Sequence, residues 1–298
     1  APTRPQQGRN PAPLAPHPPI GVEALERECH IRGTMTTTAP TQNGARELGA
    51  WIRRFQPAEQ AAVRLVCLPH AGGAATYYFP VAKALAPAID VLAVQYPGRQ
   101  DRRTEPVIED VRALADRITA ELLPWTDRPL ALFGHSMGAL VGYEVARRLE
   151  AAGTAPLGLF ASGRRAPSTV REESVHRRDD QGIVSALREL SGTGDEVLDD
   201  ADLLGMVLTA VRGDYKAVET YQDDDRPVLN CPVEVLTGDS DGMTSPEENR
   251  AWERHTTGEC RVTEFPGGHF YLVDQAPAVL ATIRERTSAW AAAAPQRP

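Results

Sequence analysis

Short apolar runs recur along the chain, separated by polar stretches with helical periodicity. Residues 63–68, 91–96, 130–133, 157–161, 233–236 and 261–265 each read as a strand. Turn-forming residues such as Pro97-Gly98 punctuate them. A helix is expected over 79–86. Across 107–123, apolar residues at 108, 111, 114, 115, 118 and 122 keep the helical period. Further helices are predicted from 137 to about 152, where Gly153 is a natural stop, and over 276–290. Strands alternating with helices predict a mainly parallel sheet covered on both faces. The alternation breaks over about 168–226, which is charged at first and then helical around 183–190 and 203–211. A connection this long is usually functional, so a helical lid over the ligand side is expected. The alternative is a long helical connection with no gating part.

Length and composition narrow the picture. The 298 residues suffice for one large α/β domain, and 42% hydrophobic with 24% charged residues is ordinary for a soluble protein. No stretch approaches the roughly 18 apolar residues of a membrane span. A net charge of -8 argues against bulk binding to nucleic acid or anionic membrane. Cys29, Cys67, Cys231 and Cys260 form no CxxC pair, so no metal or redox motif is indicated and a reduced, cytoplasmic setting is expected. Residues 1–50 begin with a proline-rich, apolar-poor segment and are expected to be disordered, as is a tail at 291–298. Met35 is expected to lie nearer the native start, with an extension before it. The domain proper is placed at 51–290.

The chemistry concentrates around Gly134-His135-Ser136-Met137-Gly138. A strand before and a helix after turn this Gly-x-Ser-x-Gly match into a candidate nucleophile elbow, which would expose the Ser136 hydroxyl. The alternative is that Ser136 merely caps the following helix. A serine nucleophile needs a base, and the base an orienting acid; in α/β-hydrolases these follow in the order Ser, Asp or Glu, His. Of the downstream histidines, His176 lies in the charged start of the insertion and His255 in a polar stretch expected to be solvated. His269 follows a strand and Gly267-Gly268, where ligand chemistry gathers in open α/β sheets. After strand 233–236 both Asp239 and Asp241 are available. Asp241 is preferred as the acid, with Asp239 as a turn former or supporting acceptor. Backbone N–H groups of Met137 and Ala71, the latter in the loop His70-Ala71-Gly72-Gly73, are the expected oxyanion donors. That loop lacks the Lys-Ser/Thr of a phosphate cradle.

Taken together, Leu68-Pro69-His70-Ala71-Gly72-Gly73, Gln95-Tyr96-Pro97-Gly98-Arg99, the Gly-His-Ser-Met-Gly elbow, Ser162-Gly163-Arg164-Arg165-Ala166-Pro167 and Phe265-Pro266-Gly267-Gly268-His269-Phe270 resemble the type II thioesterases. These are discrete α/β-hydrolases that accompany polyketide synthases and nonribosomal peptide synthetases. The resemblance covers about 51–290. It implies an α/β-hydrolase fold with a helical lid, a Ser136–His269–Asp241 triad, and hydrolysis of aberrant or stalled acyl groups from carrier-protein phosphopantetheine. It implies no metal or diffusible cofactor, since the phosphopantetheine belongs to the acyl or peptidyl carrier protein. Arg99, Arg102, Arg103, Arg164 and Arg165, near the expected active-site edge, are candidate contacts to the pantetheine phosphate or to acidic carrier helices. The rival readings are a chain-releasing thioesterase, a generic serine carboxylesterase, and a catalytically silent carrier-binding protein of the same fold.

Overall fold

The computed structural model describes residues 49–190, 201–224 and 228–294. The proline-rich segment, Met35 and Cys29, part of the insertion, and residues 295–298 of the expected tail lie outside the described residues. Strands β1 (Ile52–Arg53), β2 (Val63–Leu68), β3 (Ile89–Val94), β4 (Leu130–His135), β5 (Leu159–Ser162), β6 (Val233–Gly238) and β7 (Cys260–Phe265) form one sheet in the order β1-β3-β2-β4-β5-β6-β7. All neighbours are parallel except β1 with β3. Helices are α1 (Phe79–Leu85), α2 (Val111–Leu122), α3 (Met137–Ala151), α4 (Asp180–Glu189), α5 (Ala201–Glu219), α6 (Pro246–Arg250), α7 (Tyr271–Asp274) and α8 (Ala276–Ala293).

Every residue of β2, β3 and β4 is buried, which is why these strands read as largely apolar runs, interrupted only by the buried charges of Arg64 and Asp90. The two-residue period still sorts them. Val66, Leu68, Leu92, Val94, Leu130 and Leu132 pack with Leu114 and Ile118 of α2 and Leu140 of α3. Leu65, Cys67, Val91, Ala93, Ala131 and Phe133 pack on the other face with Leu85 of α1 and Ile283 of α8. The chain leaves β2 towards β3 and returns to β4 on β2's other side. This reversal opens a crevice at the carboxyl ends of β2 and β4, where ligands bind in open α/β sheets.

Several expectations shift. β3 begins two residues before the predicted 91, because Asp90 is buried rather than marking a loop. Its carboxylate accepts from Arg54 Nη2 at 2.9 Å and from the Ala58 amide at 3.2 Å. β1 is too short to show any period. α8 continues to Ala293, three residues into the expected tail. His255 is buried, not solvated. Its Nε2 meets Ser168 Oγ at 2.8 Å and its Nδ1 meets Tyr143 Oη at 3.3 Å, so it ties the start of the insertion to α3.

The segment between β5 and β6 carries α4 and α5 and, among the described residues, no strand of the sheet. Asp179 caps α4 by accepting the Gly182 amide at 2.8 Å. Ile183, Val184 and Leu187 of α4 pack with Leu208 and Val211 of α5 in a small core of their own.

Candidate functional site

Ser136 joins β4 to α3 in a backbone conformation of φ 53° and ψ -115°, which a non-glycine residue adopts only under constraint. The constraint is visible at both flanks. A Cβ at position 134 would lie 2.0 Å from the Gly138 carbonyl oxygen, and one at 138 would lie 2.1 Å from that of Leu68. Only glycine allows so tight a turn against β2. The Ser136 amide donates to Ser162 O at 2.8 Å, anchoring the turn to β5. The side chain of Ser136 makes no capping hydrogen bond to α3, so the capping alternative does not hold.

His269 and Asp241 converge from the loops after β7 and β6. Nδ1 of His269 lies 2.9 Å from Oδ2 of Asp241, and both residues are buried. A carboxylate only accepts, so Nδ1 carries the proton and Nε2 is left as a base. The other Asp241 oxygen accepts the Met243 amide at 2.9 Å, which fixes the carboxylate. Asp239 sits apart from the imidazole. Its Oδ1 accepts the Gly267 amide at 3.0 Å and so braces the two loops. Gly238 lets them approach, since a Cβ there would meet Gly267 O at 2.3 Å.

Ser136, His269, Ala71 and Met137 line one cavity of about 290 Å³. Ala186 and Leu187 of α4 with Tyr215 and Val218 of α5 form an apolar wall, so the insertion roofs the site. Two further histidines, His70 and His135, pack around the His–Asp pair. His70 packs edge-on against Phe270 with ring centroids 5.0 Å apart, and His135 lies 4.9 Å from His269. Burial, reinforced by His269 and Arg99, pushes the His70 pKa down to about 3. Burial likewise holds His135 well below the usual imidazole range. Its Nδ1 meets Ser162 Oγ at 2.9 Å, which in turn meets the Tyr271 hydroxyl at 2.7 Å.

The five arginines separate. Arg99 is buried, and its guanidinium grips Asp214 of α5 with Nη1···Oδ2 at 2.7 Å and Nη2···Oδ1 at 2.9 Å. Arg102 is buried over the Trp51 ring and bonds Glu105 and Gln95 O. Arg165 is buried and donates to both oxygens of Glu173, at 3.0 and 2.5 Å. These three are spent on internal partners and do not present a surface to a carrier, contrary to expectation. Their charge is desolvated and paired instead. Arg103 is exposed. Arg164 is buried and lines the cavity.

Asp214 was not among the residues expected at the site. Its Oδ2 accepts the Gly72 amide at 2.7 Å, while Arg99 Nη1 donates to Gly73 O at 3.1 Å. Helix α5 thereby clamps the 70–73 loop. Gly72 (φ +75°) makes room, since a Cβ there would meet Val211 at 2.7 Å. Nothing distinguishes Asp214 in sequence from the charged residues around it, Arg212 and Lys216. Among the described residues, no group of three or more His, Cys, Asp or Glu side chains is placed to hold a metal ion. No helix among them is long and apolar enough to cross a membrane.

A mainly parallel sheet flanked by helices, a strained serine at a strand-to-helix turn and a His–Asp pair at the next strand ends together define the α/β-hydrolase class. Residues 63–287 match the thioesterase domain model, and the chain belongs to that family of thioester hydrolases. It is 48% identical over 275 residues to a probable cadicidin biosynthesis thioesterase of Streptomyces griseus, covering 92% of this chain and 75% of that one. It is 51% identical over 229 residues to thioesterase PikA5 of Streptomyces venezuelae, covering 76% and 82%. Among solved structures, the type II thioesterase BorB from the borrelidin biosynthetic cluster superposes with a TM-score of 0.76 at 49% identity, covering 82% of this chain and 99% of that one.

Proposed function

We propose that this protein is a type II thioesterase that removes aberrant or stalled acyl groups from the phosphopantetheine thiol of carrier proteins in a modular synthase. The observation that carries the reading is the strained Ser136 sharing one cavity with the Asp241-bonded His269. The relatedness to BorB supports the carrier-bound thioester over a simple ester.

In this reading His269 Nε2 takes the Ser136 proton as Oγ attacks the thioester carbonyl. The Met137 and Ala71 amides hold the oxyanion, each worth about 10²–10³ in rate. Asp241 stabilises the imidazolium. As the tetrahedral intermediate collapses, the C–S bond breaks, His269 returns the proton to the thiolate, and an acyl-Ser136 ester remains. His269 then deprotonates water, which releases the carboxylic acid and restores the serine. Every step uses the chain's own residues, and the only prosthetic group is the partner's. The roof of α4 and α5 acts as a lid that keeps bulk water from the ester. The work is placed in the cytoplasm, beside the synthase.

The test is hydrolysis of a panel of acyl-carrier proteins, with acyl-pantetheine controls and Ser136→Ala. Carrier-dependent turnover, abolished by Ser136→Ala with loss of the acyl-enzyme mass, is expected. Faster turnover of oxygen esters than of acyl-carriers would instead favour a carboxylesterase. Binding without turnover would favour a silent carrier-binding protein.

A further inference from the structure

The insertion leaves the sheet after β5 and rejoins it at β6, and both of its ends come back to His255. At the outgoing end, Ser168 meets Nε2 with its Oγ at 2.8 Å and its amide at 3.3 Å. At the returning end, Oδ2 of Asp223 lies 3.6 Å from Nδ1, and the Leu229 amide donates to the His255 carbonyl oxygen at 2.9 Å. Asp224, beside Asp223, accepts from Arg112 and Arg147 at 3.0 Å each, which seats this end on α2 and α3. Tyr143 Oη of α3 lies 3.3 Å from Nδ1 and ties the ring to the body of the domain. The ring is 3% exposed and packs edge-on against Tyr143 and Trp252.

A neutral imidazole suits this place. Nε2 faces an amide N–H and so accepts, which puts the ring proton on Nδ1, towards Tyr143 and the Asp223 carboxylate. Burial holds the pKa below the usual imidazole range; Asp223 raises it, while Arg147 and Arg254 lower it. The same ring therefore accepts from one end of the insertion and presents a donor to the other. An imidazolium could not, since its second N–H would face that of Ser168.

What lies between the two ends holds together as a unit. α4 and α5 share a core through Ile183, Leu187, Leu208 and Val211. A packed unit joined to its domain by two segments that meet at one point turns about that point. We infer that His255 is the pivot of the lid: it positions both ends of the insertion, so that α4 and α5 swing as one body about it, with the grip of Asp214 on Arg99 and Gly72 as the latch. This rests on the reading of α4 and α5 as a lid over Ser136. His255 does not line the cavity, so it acts on the reaction through the position of the roof.

The test reads amide hydrogen exchange in the full chain, together with steady-state kinetics on an acyl-pantetheine. In the wild type, the Ser168 and Leu229 amides should show protection within about threefold of each other and respond equally to denaturant, because loosening the pivot frees both. His255→Phe keeps the ring packing and removes the ring's polar contacts. It should speed exchange of both amides at least about tenfold, leave the β2 amides unchanged, and raise KM at least about threefold with a smaller change in kcat. His255→Gln, whose amide can accept from Ser168 and donate towards Asp223, should restore part of each. Acceleration at one end alone, or unequal responses to denaturant in the wild type, overturns the inference. So does a fall in kcat at unchanged KM, which would place the effect on the chemistry instead of the roof. If His255→Phe does not fold, the wild-type exchange decides. Exchange needs no turnover, so a wild type that hydrolyses no thioester would sink the proposed activity while the pivot is still judged.

Discussion

Replacing Asp214 with Asn tests whether the insertion acts on the chemistry or only covers it. Asp214 is 1% exposed and accepts three hydrogen bonds, one from the Gly72 amide and two from Arg99. Asn keeps the shape but removes the charge and one acceptor, leaving the Arg99 guanidinium buried without its counter-ion. Breaking a buried pair in this way costs about 3–5 kcal/mol. For a domain of this size that lowers Tm by roughly 6–20 °C. The same change releases the 70–73 loop that carries the Ala71 amide. Complete loss of one oxyanion donor costs about 10²–10³ in kcat, so a displaced donor should cost at least about tenfold, with a smaller effect on KM. Thermal melts and steady-state kinetics on an acyl-pantetheine, run well below the lower Tm, measure both. The double variant Asp214→Leu/Arg99→Met separates them. An apolar pair can replace a buried ion pair at little cost, so Tm should recover. The Gly72 amide stays unanchored, so kcat should not. Recovery of kcat along with Tm, or a kcat of Asp214→Asn within twofold of wild type, would refute the argument that α5 positions the oxyanion loop.

The remaining expectations are simpler. Gly138→Ala places a Cβ 2.1 Å from Leu68 O against main chain that cannot move aside, so a fall in soluble yield and Tm is expected. A Tm equal to wild type would contradict the close approach of α3 and β2. His135 is buried, His70 is half-buried, and both have depressed pKa values, so on acidification the unfolded state takes up protons that the folded state refuses. Stability is therefore fully present above the unfolded imidazole pKa of about 6.5 and is lost as pH falls towards the folded value of about 3 for His70. Within that window His70 contributes a slope of about 1.4 kcal/mol per pH unit, and His70→Gln should flatten the dependence of Tm on pH between 6 and 4. An unchanged slope would mean that His70 is not held neutral by the fold. Gly238→Ala should lower kcat by parting the loops that carry Asp241 and His269, because its Cβ would press on Gly267 O. Unaltered turnover would count against that loop contact setting the His–Asp geometry.

The parts of this molecule that were legible in the sequence are those whose physics is local. β2, β4 and β6 announce themselves because burial on both faces demands predominantly apolar runs. The turn at Ser136 announces itself because its flanking glycines answer to main chain within two strands' reach. The acid could be narrowed to Asp239 or Asp241 by position alone, but which of them meets His269 depends on how two loops 28 residues apart fold together. Arg99, Arg102 and Arg165 were misjudged for the same reason. A guanidinium in a loop looks the same in sequence whether it faces solvent or a buried carboxylate, and the partner of Arg99 lies 115 residues away on α5. That separation gives the insertion its meaning. α5 supplies an apolar wall through Tyr215 and Val218 and, at the residue directly before Tyr215, the carboxylate that fixes the 70–73 loop. A roof that lifted freely would release Gly72 and Arg99 together, so movement of α5 and readiness of the oxyanion loop are coupled through Asp214. Opening for substrate must therefore either spare the Asp214 end of α5 or suspend catalysis until it returns.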